Sequence, residues 1–242
     1  MIQVDSENIK LKSLANLPVV VSGIPIYPVK IRDIIELGYD VYSQYLSLMM
    51  LSKDQLIHKD YINTLPDELG IYDFIEMFGE SANIYSLYYS GLKFIIGSSN
   101  IYYTDSLYIN NQKITNDIYN EILKVVKIQN CLSEPDFDDF NPANDRVRKL
   151  REKQLENRRK IQALKKNSTD DSENLTFYDL VSILCTNANG INIFNVFDLN
   201  IFQFNNQFNK MKQLNDYEIS IQSILHGADP QKVEIKHWMS KA

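Results

Sequence analysis

The stretch that decides the fold begins at Thr176-Phe-Tyr-Asp179 and runs to the end of the chain. Thr176 and Asp179 are three residues apart, the spacing of a helix capping box, with aspartate in the usual glutamate position. Asn187-Ala-Asn-Gly190 ends this helix where left-handed backbone is tolerated. A longer helix follows, because large apolar side chains recur every three or four residues and form one stripe: Phe197, Ile201, Phe204, Phe208 and Met211.

A third, short apolar pattern covers residues 217–225 and leads into His226-Gly-Ala-Asp-Pro230. The chain then finishes with an aromatic pair, His237-Trp238. A tryptophan near a terminus serves either as a surface anchor for a partner or as a cover for the module's own core. Residues 176–242 are therefore predicted to form a small helical module with an aromatic-rich stripe.

The first part of the chain is predicted to be a mainly α domain covering residues 1–132. Residues 1–28 are expected to be extended, because apolar residues alternate and three prolines interrupt any helix. Asn110-Asn-Gln112 is expected to form the turn of a small β-hairpin between two apolar segments. Amphipathic patterns predict the helices of this domain, over residues 29–51, 67–78, 82–96 and 115–131. Thr115 is expected to cap the last of these helices, and its expected buried residues are Ile118, Ile122, Val125, Val126 and Ile128.

Residues 133–175 are predicted to connect the two ends of the chain. They comprise an acidic, proline-containing hinge, a charged helix over 144–166 and a flexible linker over 167–175. The helix carries ten basic and three acidic residues, so it is either a solvated connector or a surface for acidic partners or DNA. The residues expected to make such contacts are Arg146, Arg148, Arg151, Arg158, Arg159 and Lys160.

Bulk composition excludes several classes of function. The net charge of −6 and the pI near 5.2 argue against nucleic acid as a partner for the whole surface. Cys131 and Cys185 lie far apart, and no histidine has the spacing of a metal site. No segment resembles a signal peptide or a membrane span, so we expect a cytoplasmic protein. No catalytic constellation is evident either, and we expect neither enzymatic activity nor a cofactor.

The C-terminal pattern resembles that of tail-module proteins of phages and prophages of Gram-positive bacteria. The resemblance covers roughly residues 176–242 and is helped by Leu17-Pro-Val19 near the start. The basic helix is a departure from that pattern. The matching residues are Asp198, Leu199, Asn200, Ile201, Gln203, Phe204, Phe208, Ile224, Leu225, Gly227, Ala228, Asp229, His237 and Trp238.

The resemblance implies a tail assembly chaperone, which binds the tape-measure protein and recruits tail-tube subunits in the host cytoplasm. The N-terminal domain would then self-associate or hold a long helical client, while the C-terminal module contacts a tail subunit. The expected partner-binding residues are the apolar stripe and the terminal aromatic pair. The alternative is a structural component of the phage particle that contacts acidic partners or DNA through the basic helix.

Overall fold

The computed structural model describes residues 5–51, 69–78, 84–132, 175–188 and 190–229, together with Val233, Ile235, His237 and Met239. The predicted class is confirmed, since this part of the chain is mainly helical with two small antiparallel sheets. The helices are α1 Ser6–Leu14, α2 Ile31–Leu37, α3 Tyr39–Met49, α4 Ile71–Phe78, α5 Ile84–Ile96, α6 Asn116–Gln129, α7 Phe177–Asn187 and α8 Ile201–Leu225. The strands are β1 Val19–Val21, β2 Ile24–Ile26, β3 Ile101–Tyr103, β4 Leu107–Ile109 and β5 Gln112–Lys113.

Both sheets are built on two-residue turns with left-handed backbone. The turn predicted at Asn110-Asn-Gln112 is found at Asn110-Asn111, with φ of 51° and 64°, and it joins β4 to β5, which begins at Gln112. β3 adds a third strand to this sheet through pairing with β4. Ser22-Gly23, with φ of 47° and 84°, forms a second hairpin between β1 and β2. Positive φ at both turn residues matches the twist of the flanking strands, which favours such tight hairpins.

The prediction that residues 1–28 are extended is wrong for Ser6–Leu14, which form α1. Only Ile9 and Ser13 of this helix are buried, whereas Leu11 and Leu14 are exposed. Among the apolar residues of α1, Ile9 alone therefore marks the face that packs. Ser13 Oγ donates to the Ile9 carbonyl at 2.7 Å, which satisfies its hydroxyl inside the core.

The predicted helix over 29–51 is divided at Gly38 into α2 and α3. Gly38 has φ of 96°, a conformation that ends α2 and that residues with a Cβ rarely adopt. α3 then packs against α5. At Gly91 of α5 a Cβ would lie 3.0 Å from the Cβ of Tyr45, so the missing side chain lets the two helices approach closely.

α6 begins at its predicted cap. The Thr115 side chain accepts a hydrogen bond from the Ile118 amide at 3.4 Å, which satisfies one free amide of the first turn. Of the five residues predicted to be buried, Ile122, Val125 and Val126 are fully buried, whereas Ile118 and Ile128 are half-buried. α6 packs against α1, α8 and the first hairpin. α6 is therefore the central helix on which the first and last helices of the described chain meet.

α7 and α8 form the helical part of the C-terminal segment. The capping box of α7 is confirmed, because Thr176 N donates to Asp179 Oδ2 at 2.9 Å and Asp179 N donates to Thr176 Oγ1 at 3.3 Å. Two separate helical patterns were predicted beyond it. Instead, Ile201–Leu225 is one continuous helix of 25 residues, and Phe197 lies before it in a short 3₁₀ turn, Val196–Asp198.

Asn200 joins α8 to the N-terminal part of the chain, and its side chain is fully buried. It is the N-cap of α8 and forms a capping box with Gln203, in which the Asn200 amide donates to Gln203 Oε1 at 2.9 Å. The side-chain Nδ2 of Asn200 donates to the Ser13 carbonyl at 2.8 Å and to Asn16 Oδ1 at 3.0 Å. Its backbone forms a bridge with Lys30. One asparagine thus connects α1, the segment after β2 and α8.

The chain divides into two compact units by contact density. The first comprises Met1–Leu132 and Val181–Ala242, and the second comprises Ser133–Leu180. α8 accordingly lies in the same unit as α1 and α6, with which it is in contact. The division into domains at 132 and 176 stays a prediction.

Replacing Asn200 with alanine should lower the free energy of unfolding by about 2–3 kcal/mol, since the helix loses its cap and the Ser13 carbonyl loses a buried donor. Urea titration followed by circular dichroism measures this loss. Asn209→Ala is the matched control, because Asn209 is exposed within α8 and alanine favours a helix interior. Equal stabilities for the two variants would contradict a central role for Asn200.

Candidate functional site

The predicted partner-binding stripe begins inside the protein's own core. Ile201 is 6% exposed and Phe204 is 1% exposed, so both side chains hold the first turn of α8 in place. Phe197 is half-buried in the 3₁₀ turn that precedes the helix. Arg32 of α2 forms an exposed ion pair of 3.1 Å with Asp198 of the same turn. Ile201 and Phe204, at the start of the stripe, thus pack in the core of the protein itself.

Beyond the first turn the stripe is only half-buried. The Phe208 ring follows that of Phe204 along the helix; the ring centroids are 6.4 Å apart and the ring planes are inclined at 21°. Polar residues, including exposed Lys212 and Asp216, occupy the other side of the helix. The half-buried apolar residues from Met211 onward lie on one side of α8, and we call them the distal stripe: Met211, Leu214, Tyr217, Ile221 and Ile224.

His237, beyond the end of α8, lies close to the distal stripe. The ring of His237 lies 5.2 Å from that of Tyr217, although His237 itself is exposed. Ile219 and Leu225 add exposed apolar surface on α8, at 62% and 78% exposure. Trp238, the other member of the predicted aromatic pair, lies outside the described residues. The structure therefore brings His237 close to Tyr217 of the distal stripe, which lies beyond Met211, the last residue of the predicted stripe.

A second apolar feature, not predicted as a site, lies in the loop between α7 and the 3₁₀ turn. Phe194 is 89% exposed and Ile193 is 54% exposed. The loop backbone is held by its own asparagines: Asn192 N donates to Asn195 Oδ1 at 2.8 Å, and Phe194 N donates to Asn192 Oδ1 at 2.9 Å. We call the side chains of Ile193 and Phe194 the apolar tip. Sequence hydrophobicity cannot reveal such a site, because it does not distinguish an exposed phenylalanine from a buried one.

The basic residues predicted to contact acidic partners all lie outside the described residues: Arg146, Arg148, Arg151, Arg158, Arg159 and Lys160. Their role stays a prediction. Among the residues that the structure describes, no three histidine, cysteine or acidic side chains are grouped as a metal site would require. None of the helices in these same ranges is long and apolar enough to cross a membrane.

A buried tyrosine network occupies the N-terminal part of the chain. The hydroxyls of Tyr88 and Tyr119 are 2.7 Å apart, and Tyr72 donates to the Ile114 carbonyl at 3.1 Å. Tyr103 donates to Asp73 Oδ1 at 2.7 Å, while Asp73 Oδ2 accepts from the Gly70 amide at 2.7 Å. These groups satisfy one another, so the network stabilises the packing of α4, α5 and α6.

Burial is the main cause of the raised tyrosine pKa values in this network. It raises the pKa of Tyr72, Tyr88 and Tyr119 above the ordinary tyrosine value, because a phenolate would lose its hydration. Charge on Asp73 raises the pKa of Tyr72 further. All three hydroxyls remain protonated at neutral pH and act as hydrogen-bonding groups.

Comparison with known proteins found a similarity in the C-terminal segment. Residues 165–242 match the YomV second domain. This is a domain of phage and prophage type. The match includes α7, the apolar tip, Asn200 and all of α8. Searches of curated proteins and of solved structures gave no match to the chain.

The tyrosine network predicts a loss of stability in alkali. The unfolded chain releases these protons near pH 10, whereas the native hydroxyls hold them to higher pH, so the stabilisation is complete below pH ~10 and disappears as pH rises through the raised native values. Tyr88→Phe should lower stability at pH 7 by about 1 kcal/mol and flatten the decline between about pH 10 and 11. Urea unfolding across this range tests both effects.

Tyr27→Phe is the control for the alkaline experiment, because Tyr27 is 54% exposed. It should unfold with the wild-type dependence on pH. A Tyr88→Phe variant whose alkaline slope equals that of the wild type would contradict the assignment of this slope to the buried network.

Proposed function

We propose that this protein is a non-enzymatic assembly factor of a phage or prophage that binds an amphipathic helix of its client along the distal stripe. In the form that the sequence resemblance implies, it is a tail assembly chaperone. Its helical client would be the tape-measure protein, to which it recruits tail-tube subunits in the host cytoplasm. The match to the YomV second domain supports the phage context and covers the segment that carries the stripe.

The observation that carries the proposal is the construction of α8. Its first turn is fixed by Asn200 and by the buried Ile201 and Phe204. The helix then continues for a total of 25 residues, or about 37 Å, with none of residues 205–225 fully buried. A helix that needed only to fill its own core would bury apolar residues along its whole length. An anchored helix with a half-buried stripe is suited to packing against a second helix.

The chemistry of the distal stripe favours a helical client over a rigid, preformed surface. Methionine, leucine and isoleucine supply large apolar contact area, and methionine adapts to irregular partners because its side chain is flexible and polarisable. The exposed Lys212 and Asp216 keep the other side of α8 hydrated. A client helix with apolar residues at three- and four-residue spacing would bury its own stripe against this one.

The alternative function, a structural component that contacts acidic partners or DNA, depends on the basic helix over 144–166. That segment lies outside the described residues, so the alternative stays a prediction from sequence.

The test is binding to purified tape-measure fragments by isothermal titration calorimetry. Replacing Met211 and Ile221 together with alanine should weaken binding at least about tenfold, because both side chains belong to the proposed contact surface. Lys212→Ala is the matched control on the exposed side of the same helix, and it should bind like the wild type. Circular dichroism verifies that each variant retains its helix content.

Two results would contradict the proposal. The wild type could fail to bind any tape-measure fragment, or the double variant could bind as tightly as the control while remaining folded. Catalytic turnover of a small molecule by purified protein would equally contradict the non-enzymatic assignment.

A further inference from the structure

The apolar tip is exposed on a loop whose backbone is held by several hydrogen bonds. Besides the two bonds already described, Asn195 Nδ2 donates to the Gly190 carbonyl at 2.8 Å, and the amides of Asn195 and Val196 both donate to the Asn192 carbonyl. At the base of the loop Val196 is fully buried, and Asp198 pairs with Arg32. The backbone that carries Phe194 is therefore held by hydrogen bonds within the loop, and at the base of the loop by the buried Val196 and by the ion pair of Asp198 with Arg32.

A fixed and exposed phenylalanine is suited to binding. Exposing most of its ring to water contributes little to the stability of the free protein. The asparagine bonds reduce the conformational entropy that the loop would lose on binding, and this preorganisation raises affinity. A buried aromatic anchor can account for a large share of the binding energy of an interface. We propose that the apolar tip is a second docking element, which inserts into an apolar pocket on a folded protein subunit.

The area of the tip argues against a second copy of the same chain. Ile193 and Phe194 together offer on the order of 300 Å² of apolar surface, whereas a stable interface buries about 800 Å² on each partner. Two such tips meeting at a twofold axis would leave that requirement unmet. A protruding tip gains more from a concave pocket, which surrounds the ring on several sides.

The charge of the segment argues against an anionic membrane. Residues 187–200 contain no lysine or arginine, and their single acidic residue, Asp198, is paired with Arg32. Elements that bind anionic lipid combine apolar anchors with basic residues. The polar groups around this tip are asparagines that bond to the loop itself, so its rim is neutral and fits a pocket with a neutral, polar edge.

This inference rests on the proposed function, which supplies a folded partner and a helical one. The distal stripe is an extended surface suited to a helix, whereas the tip is a compact projection suited to a pocket. We therefore assign the distal stripe to the tape-measure helix and the tip to the tail-tube subunit. Two separate surfaces on one chain would let both partners be held together.

The experiment measures binding of the full chain to two purified probes, the tail-tube subunit and the tape-measure fragment, by biolayer interferometry. Phe194→Ala should weaken binding to the tube subunit by roughly 30-fold and leave binding to the tape-measure fragment unchanged. Met211→Ala combined with Ile221→Ala should give the reverse pattern. Leu11→Ala is the matched control, because Leu11 is also exposed, at 65%.

A further variant tests the fixed loop. Asn195→Ala removes the bonds to Asn192 N and to the Gly190 carbonyl while keeping the apolar tip. It should weaken binding to the tube subunit by a smaller factor, about threefold to tenfold. Because Phe194 is so exposed, the melting temperature of Phe194→Ala should equal that of the wild type, which separates lost binding from lost folding.

The outcomes distinguish this inference from the proposed function. If the tube subunit binds the wild type and Phe194→Ala equally, the role of the tip is overturned while the assembly function stands. If the tube subunit does not bind the wild type at all, both are overturned. A change in sedimentation of Phe194→Ala alone would assign the tip to a second copy, and a loss of binding to vesicles containing phosphatidylserine would assign it to a membrane. Either result would overturn the inference.

Discussion

The arrangement of this chain depends on the buried side chain of Asn200. Its carboxamide caps α8 through the oxygen, which accepts from the Gln203 amide, and fixes α1 through the nitrogen, which donates to the Ser13 carbonyl. Because the side chain is fully buried, an unpaired amide there would lose its hydration without compensation. The position and direction of α8 are thus set at one end by polar geometry, and apolar packing follows from it.

This anchoring accounts for the different roles of residues along one apolar stripe. Ile201 and Phe204 lie next to the anchor and fill the core, whereas the distal stripe lies further along the helix and is half-buried. The apolar tip precedes the anchor on the other side and is held by a separate set of asparagines. Along this C-terminal segment, the exposed apolar tip is therefore followed by buried core residues and then by the half-buried distal stripe.

Local signals in the sequence were sufficient for several elements. The capping residues of α6 and α7 and the Asn110-Asn111 turn depend on near neighbours, so spacing alone predicted them. α1 was missed because only one of its apolar side chains, that of Ile9, is buried, whereas Leu11 and Leu14 are exposed. The bond from Asn200 to Ser13 and the exposure of Phe194 depend on residues distant in sequence, which no periodicity encodes.

The separation between Ser13 and Asn200 has a consequence for synthesis. The two residues are 187 positions apart, and the ribosome delivers the N-terminal one first. The Ser13 carbonyl therefore receives its asparagine donor only after the chain has emerged as far as residue 200, and contacts so distant close slowly. The native structure can form fully only after the start of α8 has left the ribosome. A nascent chain that stops before residue 200 therefore leaves α1 without this bond.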